Sequence, residues 1–169
     1  MAAITLEPVS TQSQIDTLCA IAKTVWHETY DDLLPPGQPD YMVEKFQSDH
    51  AVKEQMAREN YRYVLAKLGE AYVGFVGYAP RYQGQEEMYL SKAYILPQGR
   101  GQGVVGALFR LVEEETKKEG LSRVRLTVNK GNAHAKAVYE HYGYRTVEAV
   151  QSDIGGGYVM DDYVMVKEL

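Results

Sequence analysis

Between Gln98 and Gly106 the chain reads QGRGQGVVG, and its glycines, Gly99, Gly101, Gly103 and Gly106, set the tightest limit on what can be built here. Glycine inside a helix costs up to ~1 kcal/mol relative to alanine, so a run of them marks a place where the backbone turns or approaches something closely. A helical period follows: Val104, Leu108, Leu111 and Val112 form one apolar stripe, and Gly120 supplies a stop. Glu113 with Lys117 and Glu114 with Lys118 are spaced to pair along the solvated side. The texture before the glycines is different. From Tyr61 the runs YRYVLAKL, AYVGFVGYA and EEMYLSKAYIL are β-rich and are divided by turns at Gly69-Glu70 and around Gln83 to Gln85. That order predicts an antiparallel meander leading into a glycine loop and then a helix.

The remaining segments extend the pattern. AAITLEPV reads as a first strand, and Thr11 with Gln14 forms a capping box for a helix striped by Ile15, Leu18, Ala22, Val25 and Trp26 that ends near Tyr30. DDLLPPGQPDYM is a proline-rich break, after which YMVEKF and DHAVKEQMAREN read as short surface helices. RVRLTV alternates with Val124, Leu126 and Val128 on one face, and NAHAKAVYEHY sets Ala135, Val138, Tyr139 and Tyr142 on one side of a helix stopped by Gly143. Two strands, YRTVEAV and YVMDDYVMVKEL, close the chain around IGGG. The expectation is an α/β (α+β) fold, a mixed, mostly antiparallel sheet of about seven strands flanked by helices, as one domain over residues 1–169.

Composition removes several classes of function. A chain of 169 residues, 45% hydrophobic and 24% charged, suits one globular domain. A net charge of -5 with no Lys/Arg run argues against a nucleic-acid partner. No apolar stretch approaches the ~20 residues that cross a bilayer, and the first residues lack the regions of a signal peptide, so no membrane partner is expected. The single cysteine, Cys19, excludes an intrachain disulfide and suits a reducing compartment, giving a cytoplasmic reading. His134 and His141 lie seven apart, and His27 and His50 lack ligand spacing, so no metal is expected.

Gly101, Gly103 and Gly106 also spell G-x-G-x-x-G, the dinucleotide-binding pattern. That fingerprint belongs in the first βα unit of a parallel fold with an acidic residue about 20 positions on, whereas here the next strand ends in TVNKGN. An NAD-dependent oxidoreductase is therefore not expected, and no Lys-Ser or Lys-Thr follows to make a Walker loop. What survives is shared physics: free N–H groups at a helix start favour an anion, so the loop suits some other pyrophosphate.

Read as Gln98-x-x-Gly101-x-Gly103, the loop resembles the acetyl-coenzyme A signature Q/R-x-x-G-x-G/A of the GNAT superfamily of N-acetyltransferases. NAHAKAVYEHYGY is similar to that family's N-x-x-A-x-x-x-Y-x-x-x-G-F segment through Asn132, Ala135, Tyr139 and Gly143, with Tyr144 standing where Phe is usual. TVWHETYDDLLPPGQPDYMVEKF and GGGYVMDDYVMVKEL further resemble a bacterial branch that includes spermidine/spermine acetyltransferases. The resemblance implies the GNAT-like acyl-CoA N-acyltransferase fold, with acetyl-CoA as cosubstrate, no metal, and a small-molecule amine as partner. Pairing with a second copy of the chain is left open. It implies a strand at KAYIL that splays from its neighbour, with backbone at Tyr94, Ile95 and Leu96 along the pantetheine, hydrogen-bonded at Tyr94 and Leu96. The amides of Arg100, Gly101, Gln102, Gly103, Val104, Val105 and Gly106 would cradle the pyrophosphate, with the Arg100 side chain free to add charge and Asn132 on the cofactor side. Tyr139 would protonate the leaving thiolate; its alternative is an aromatic packing beside Val138 and Tyr142.

The amine needs a base. Tyr158, Met160, Val164 and Val166 form an apolar face of the last strand, and Asp162 falls on that face while Asp161 points away. A carboxylate so placed is either a structural, hydrogen-bonded group or one with a raised pKa suited to a base. Glu28 in WHETYDD is the rival. Asp31, Asp32, Asp161 and Asp162 together would border the acceptor and favour a polyamine. Three alternatives stand beside this reading. One is a non-catalytic CoA-binding module of the same fold; the others are acetylation of a protein N-terminus or lysine, and acetylation of an amino acid.

Overall fold

The computed structural model describes residues 2–169. Thr11 and Gln14 make the capping box: the Thr11 hydroxyl accepts from the Gln14 N–H while the Gln14 side chain accepts from the Thr11 N–H. Helix α1 (Gln12–Tyr30) starts there and buries Ile15, Leu18, Ala22, Val25 and Trp26 along the expected stripe. Strand β1 (Ile4–Pro8) precedes it; α2 (Gln38–Gln47) and α3 (Asp49–Arg58) follow. The meander is β2 (Arg62–Leu68), β3 (Ala71–Pro80) and β4 (Met88–Ile95), and α4 (Val104–Lys118) comes after the glycine loop. Strand β5 (Arg123–Asn129), helix α5 (Ala133–His141) and the hairpin β6 (Arg145–Gly155) and β7 (Tyr158–Glu168) complete the order.

One seven-stranded sheet runs β1-β2-β3-β4-β5-β7-β6. All its pairings are antiparallel except β4 with β5. Val64, Val76, Leu90, Leu126 and Met165 pack on one face with Leu108, Phe109 and Val112 of α4. Leu18 and Ala22 of α1, Val52 of α3, and Tyr63, Leu65 and Phe75 fill the other. The expected mixed sheet flanked by helices is the one found.

Two local expectations fail. The helices α2 and α3 are not mere surface elements, because Gln38, Met42, Gln47, Val52 and Gln55 turn inward and are buried. Their charge-rich sequences hide this, since Gln38, Gln47 and Gln55 stand in the inward stripe beside Met42, Ala51 and Val52, held by hydrogen bonds as where Gln38 Nε2 donates to the Val159 carbonyl (3.0 Å). On α4, Glu113 reaches Lys167 of β7 at 2.5 Å and Glu115 reaches Lys118 at 3.7 Å, in place of the predicted i,i+4 pairs. A cation on the neighbouring strand competes better than one on the same helix, because both partners there are partly sheltered from water.

In β4, Gly77 faces Lys92 and Tyr78 faces Leu90, so Ser91 is an extra residue without a partner in the ladder. This β-bulge inverts the alternation. Met88 and Leu90 point to the α4 face, whereas beyond the bulge Tyr94 packs with the α1 cluster and Ala93 and Ile95 take over the α4 face.

Candidate functional site

The bulge also bends β4 away from β5. The two strands run parallel but pair only at Met88 with Val124 and Tyr89 with Arg125, and beyond those residues they part. A cleft of about 1340 Å³ occupies the opening, walled by α1 to α3 on one side and by the glycine loop, α4 and α5 on the other. The Leu96 N–H donates to the Val73 carbonyl at 2.8 Å, inside the sheet. Alternate residues of an antiparallel strand present their backbone groups to the same side. Tyr94 and Leu96 therefore face β3, and the backbone groups directed into the opening are those of Ala93 and Ile95. The hydrogen-bonding pair read from the sequence moves by one residue.

The glycines divide their labour. A Cβ on Gly99 would lie 2.7 Å from the Val73 Cβ, so this glycine lets the loop pack on β3. Gly101 and Gly103 take positive φ (72° and 84°), and a Cβ on Gly101 would meet nothing within 4 Å, so the loop borders open space. Gly103 is the N-cap of α4 and offers no side-chain cap. The first intrahelical bond runs from the Ala107 N–H to the Gly103 carbonyl. The N–H groups of Val104, Val105 and Gly106 thus begin the helix without intrahelical acceptors. A Cβ on Gly106 would come 3.1 Å from the Tyr142 hydroxyl, so the last glycine lets α5 approach α4.

Arg100 is not free, as the sequence reading had it. Its Nη2 lies 2.6 Å from Glu28 Oε1, and Nε and Nη2 both donate to the Ile95 carbonyl (3.2 and 3.1 Å). The guanidinium thus spans the cleft from α1 to β4 and engages Glu28, the rival base. Both side chains are exposed enough that the pair adds little stability.

On α5 the Tyr139 ring stacks on Phe109 (5.7 Å between centroids) with its edge-on neighbour Tyr144 at 5.8 Å. It lines the cleft. Burial pushes the phenol above the usual tyrosine range, so Tyr139 stays protonated through neutral pH. Asn132 caps α5 by accepting from the Ala135 N–H (3.2 Å), and its Nδ2 donates to the Tyr30 hydroxyl (3.2 Å).

Asp162 is 5% exposed, lines the cleft and sits opposite Asn129 of β5. Among the described residues its Oδ1 has no hydrogen-bond partner. Burial pushes the carboxyl up to about 6; the neighbouring Asp161 adds to this and Lys130 opposes it. The four-aspartate cluster expected around the acceptor does not form. Asp31 pairs with His27 (2.7 Å) and Asp161 with Lys130 (2.9 Å), and of the four only Asp162 lines the cleft. The other carboxylates on its walls are Glu28, Glu44, Glu54 and Glu59.

Sequence reasoning missed Lys92, Gln47 and Tyr30. Lys92 is 4% exposed; its Nζ donates to the Phe46 carbonyl (2.6 Å) and Gln55 Oε1 (3.0 Å), and desolvation lowers its pKa to about 7. Alternation from Met88 and Leu90 puts it on the α4 face, and the bulge sets it instead on the α1 face among α2 and α3. Gln47 donates to the Tyr94 hydroxyl (3.2 Å) and leaves Oε1 buried without a partner. Tyr30 was legible: it lies one helical turn after Trp26, and their rings meet at 4.4 Å. Among the described residues no group of three His, Cys, Asp or Glu side chains forms a metal site. No helix there is long and apolar enough to cross a membrane.

The model of the acetyltransferase (GNAT) family matches residues 24–144. Uncharacterized N-acetyltransferases of Mycobacterium tuberculosis and Mycobacterium bovis are 36% identical over 95 residues, covering 56% of this chain and 60% of theirs. The chain therefore matches over about three-fifths of the length of these relatives. Among solved structures, the paia N-acetyltransferase of Thermoplasma acidophilum in complex with coenzyme A superposes with a TM-score of 0.79 at 18% identity, covering 99% of both chains. A GCN5-related N-acetyltransferase of Rhodopseudomonas palustris gives a TM-score of 0.79 at 16% identity, covering 100% of this chain and 98% of its own.

Proposed function

The chain belongs to the GNAT family of acetyltransferases, and from that premise we propose that it moves the acetyl group of acetyl-CoA directly to a primary amine. The observation that carries this reading is the parting of β4 from β5 after two paired residues, beside a helix start with unengaged N–H groups. An extended pantetheine suits the Ala93 and Ile95 backbone as an added strand does. A pyrophosphate suits the amides from Arg100 to Gly106, where Gly101 leaves open space above the loop. In this reading Arg100 exchanges Glu28 and the Ile95 carbonyl for phosphate oxygens.

Asp162 takes a proton from the ammonium of the acceptor, and the freed amine attacks the thioester carbonyl carbon. A carbon–nitrogen bond forms, the carbon–sulfur bond breaks, Tyr139 supplies a proton to the departing sulfur, and the second proton of the attacking nitrogen returns to the Tyr139 phenolate as the amide forms. The raised pKa of Asp162 suits this role, since a carboxylate that titrates at about 6 is charged at neutral pH yet basic enough to accept a proton. A small cationic acceptor, with polyamines such as spermidine first, is supported by Asp162, Glu44, Glu54 and Glu59 on the same walls as Trp26, Leu34, Met42 and Met160. The Lys45 and Lys92 ammonium groups there are taken up by the carbonyls of Ile154 and Phe46. A single cysteine, Cys19, fits a cytoplasmic setting.

Titration calorimetry tests the cofactor assignment. Acetyl-CoA should give saturable heat and NAD none; saturable binding of NAD with none of acetyl-CoA would overturn it.

A further inference from the structure

Tyr30 stands at the junction of the two walls of the cleft. Its hydroxyl accepts from Asn132 Nδ2 (3.2 Å), its ring is held against Trp26, and it lines the cleft with Asp162 and Tyr139. A short path links it to Asp162. Asp162 sits opposite Asn129 in the β5–β7 ladder, the Asn132 N–H donates to the Asn129 carbonyl (2.9 Å), and the Asn132 side chain reaches Tyr30. Two complementary hydrogen-bonding groups therefore line the cleft at this end of β5: a phenol that, among the described residues, accepts a hydrogen bond but donates none, and a buried carboxylate oxygen that has no donor among them. Among the described residues neither bonds the other, although both line the same cleft, and an ordered water suits two unsatisfied polar groups placed in this way.

We infer that Tyr30 is a positioning residue, which holds a water between its hydroxyl and Asp162 Oδ1 and through it passes the proton of the acceptor amine to Asp162. The water accepts from the Tyr30 O–H and from an ammonium N–H, and donates to the carboxylate. On transfer, the ammonium proton moves to the water as the water's own proton moves to Asp162, leaving a neutral amine, a neutral carboxyl and an unchanged phenol. The inference rests on Asp162 being the base. The charged and titratable groups around that carboxylate are Asp161 beside it on β7, Lys130 beyond β5, which is paired to Asp161, Tyr30 from α1 and Tyr139 from α5. Glu28 of α1 lines the same cleft and is engaged by Arg100. Tyr30 is itself pushed above the usual tyrosine range by burial, with Asp162 adding to the effect, so it remains a donor across the range in which Asp162 titrates.

The test combines Tyr30→Phe, which keeps the ring and removes the donor, with Asp162→Asn. The Asp162 carboxyl is titrated by carbon-13 NMR of aspartate-labelled protein, with its signal assigned by its loss in Asp162→Asn, and turnover is followed with acetyl-CoA and spermidine. Losing the water's donor destabilises the charged carboxylate, so Tyr30→Phe should raise the titration midpoint of Asp162 by about half a unit and lower kcat about tenfold, the worth of one hydrogen bond. Acetyl-CoA affinity should stay within about twofold. An unmoved midpoint in Tyr30→Phe, with Asp162→Asn inactive, would overturn the role of Tyr30 and leave Asp162 as the base. Wild-type turnover in Asp162→Asn would overturn the base and the relay together.

Discussion

The two walls of the cleft are built by different means. The wall of β4, the glycine loop, α4 and α5 offers backbone: the Ala93 and Ile95 groups exposed by the bulge, and the amides from Val104 to Gly106 at a helix start. Its key residues fall within one stretch, from the strand before the loop to Tyr139. The opposite wall offers side chains gathered from distant parts of the chain: Glu28 and Tyr30 from α1, Gln47 from α2 and Asp162 from β7. A backbone site is indifferent to most substitutions but intolerant of a changed φ. A side-chain site depends on single functional groups whose burial sets their chemistry. The first kind suits a ligand shared across a family, the second a ligand particular to one member.

Substitutions on each wall should therefore fail in different ways. The largest effect is expected at Asp162. Asp162→Asn should lower kcat by about 10³-fold with acetyl-CoA affinity retained, and should abolish an acidic limb in kcat/KM near pH 6, measured by initial rates across pH. The same change should stabilise the fold. A carboxyl whose folded pKa is raised is bound to its proton more tightly when folded. Its charge therefore opposes folding above the folded pKa, and the penalty disappears below the unfolded value near 4. Asp162→Asn should accordingly gain on the order of 2 kcal/mol at pH 7 in urea unfolding, and the gain should vanish below about pH 4. Activity unchanged and stability lost would place Asp162 among structural carboxylates.

Tyr139→Phe comes next, with a fall in kcat of about 10²-fold and little change in acetyl-CoA affinity, provided chemistry limits the rate, as a presteady-state burst assay can establish. Gly103→Val should act on the other parameter. A β-branched residue at φ 84° is strained, so the acetyl-CoA dissociation constant from calorimetry should rise about 30-fold, while kcat at saturation moves less. Glu28→Gln is expected to be smallest, under about threefold in kcat/KM, because it removes only a half-exposed partner of Arg100. A hundredfold loss there would promote Glu28 over Asp162 as the base and break the division between the walls.

The same contrast explains what could be read from sequence. The capping box, the stripe of α1, the glycine loop and the stops at Gly120 and Gly143 are local signals, each complete within a few residues, and they appear where expected. Asp162 on the apolar face of its strand was legible too, since alternation survives along that part of β7. What escaped is what one inserted residue or a long-range partner decides. With Ser91 inserted, the backbone groups of Ala93 and Ile95, rather than those of Tyr94 and Leu96, face the opening, and Lys92 lies on the α1 face rather than the α4 face. Arg100 and Glu28 lie 72 positions apart, and nothing in either neighbourhood announces their meeting. The inward faces of α2 and α3 were hidden because three of their buried positions, Gln38, Gln47 and Gln55, carry no apolar signal and break the stripe of Met42, Ala51 and Val52.

The central claim is direct transfer within a cleft that holds both substrates at once. It is tested most directly by the initial rate of coenzyme A release, with acetyl-CoA and an amine varied against each other over a panel of polyamines, amino acids and peptides. The account predicts amine-dependent release and intersecting double-reciprocal lines, as a ternary complex requires. Parallel lines, the mark of a covalent acyl-enzyme, or coenzyme A release indifferent to every amine would contradict it.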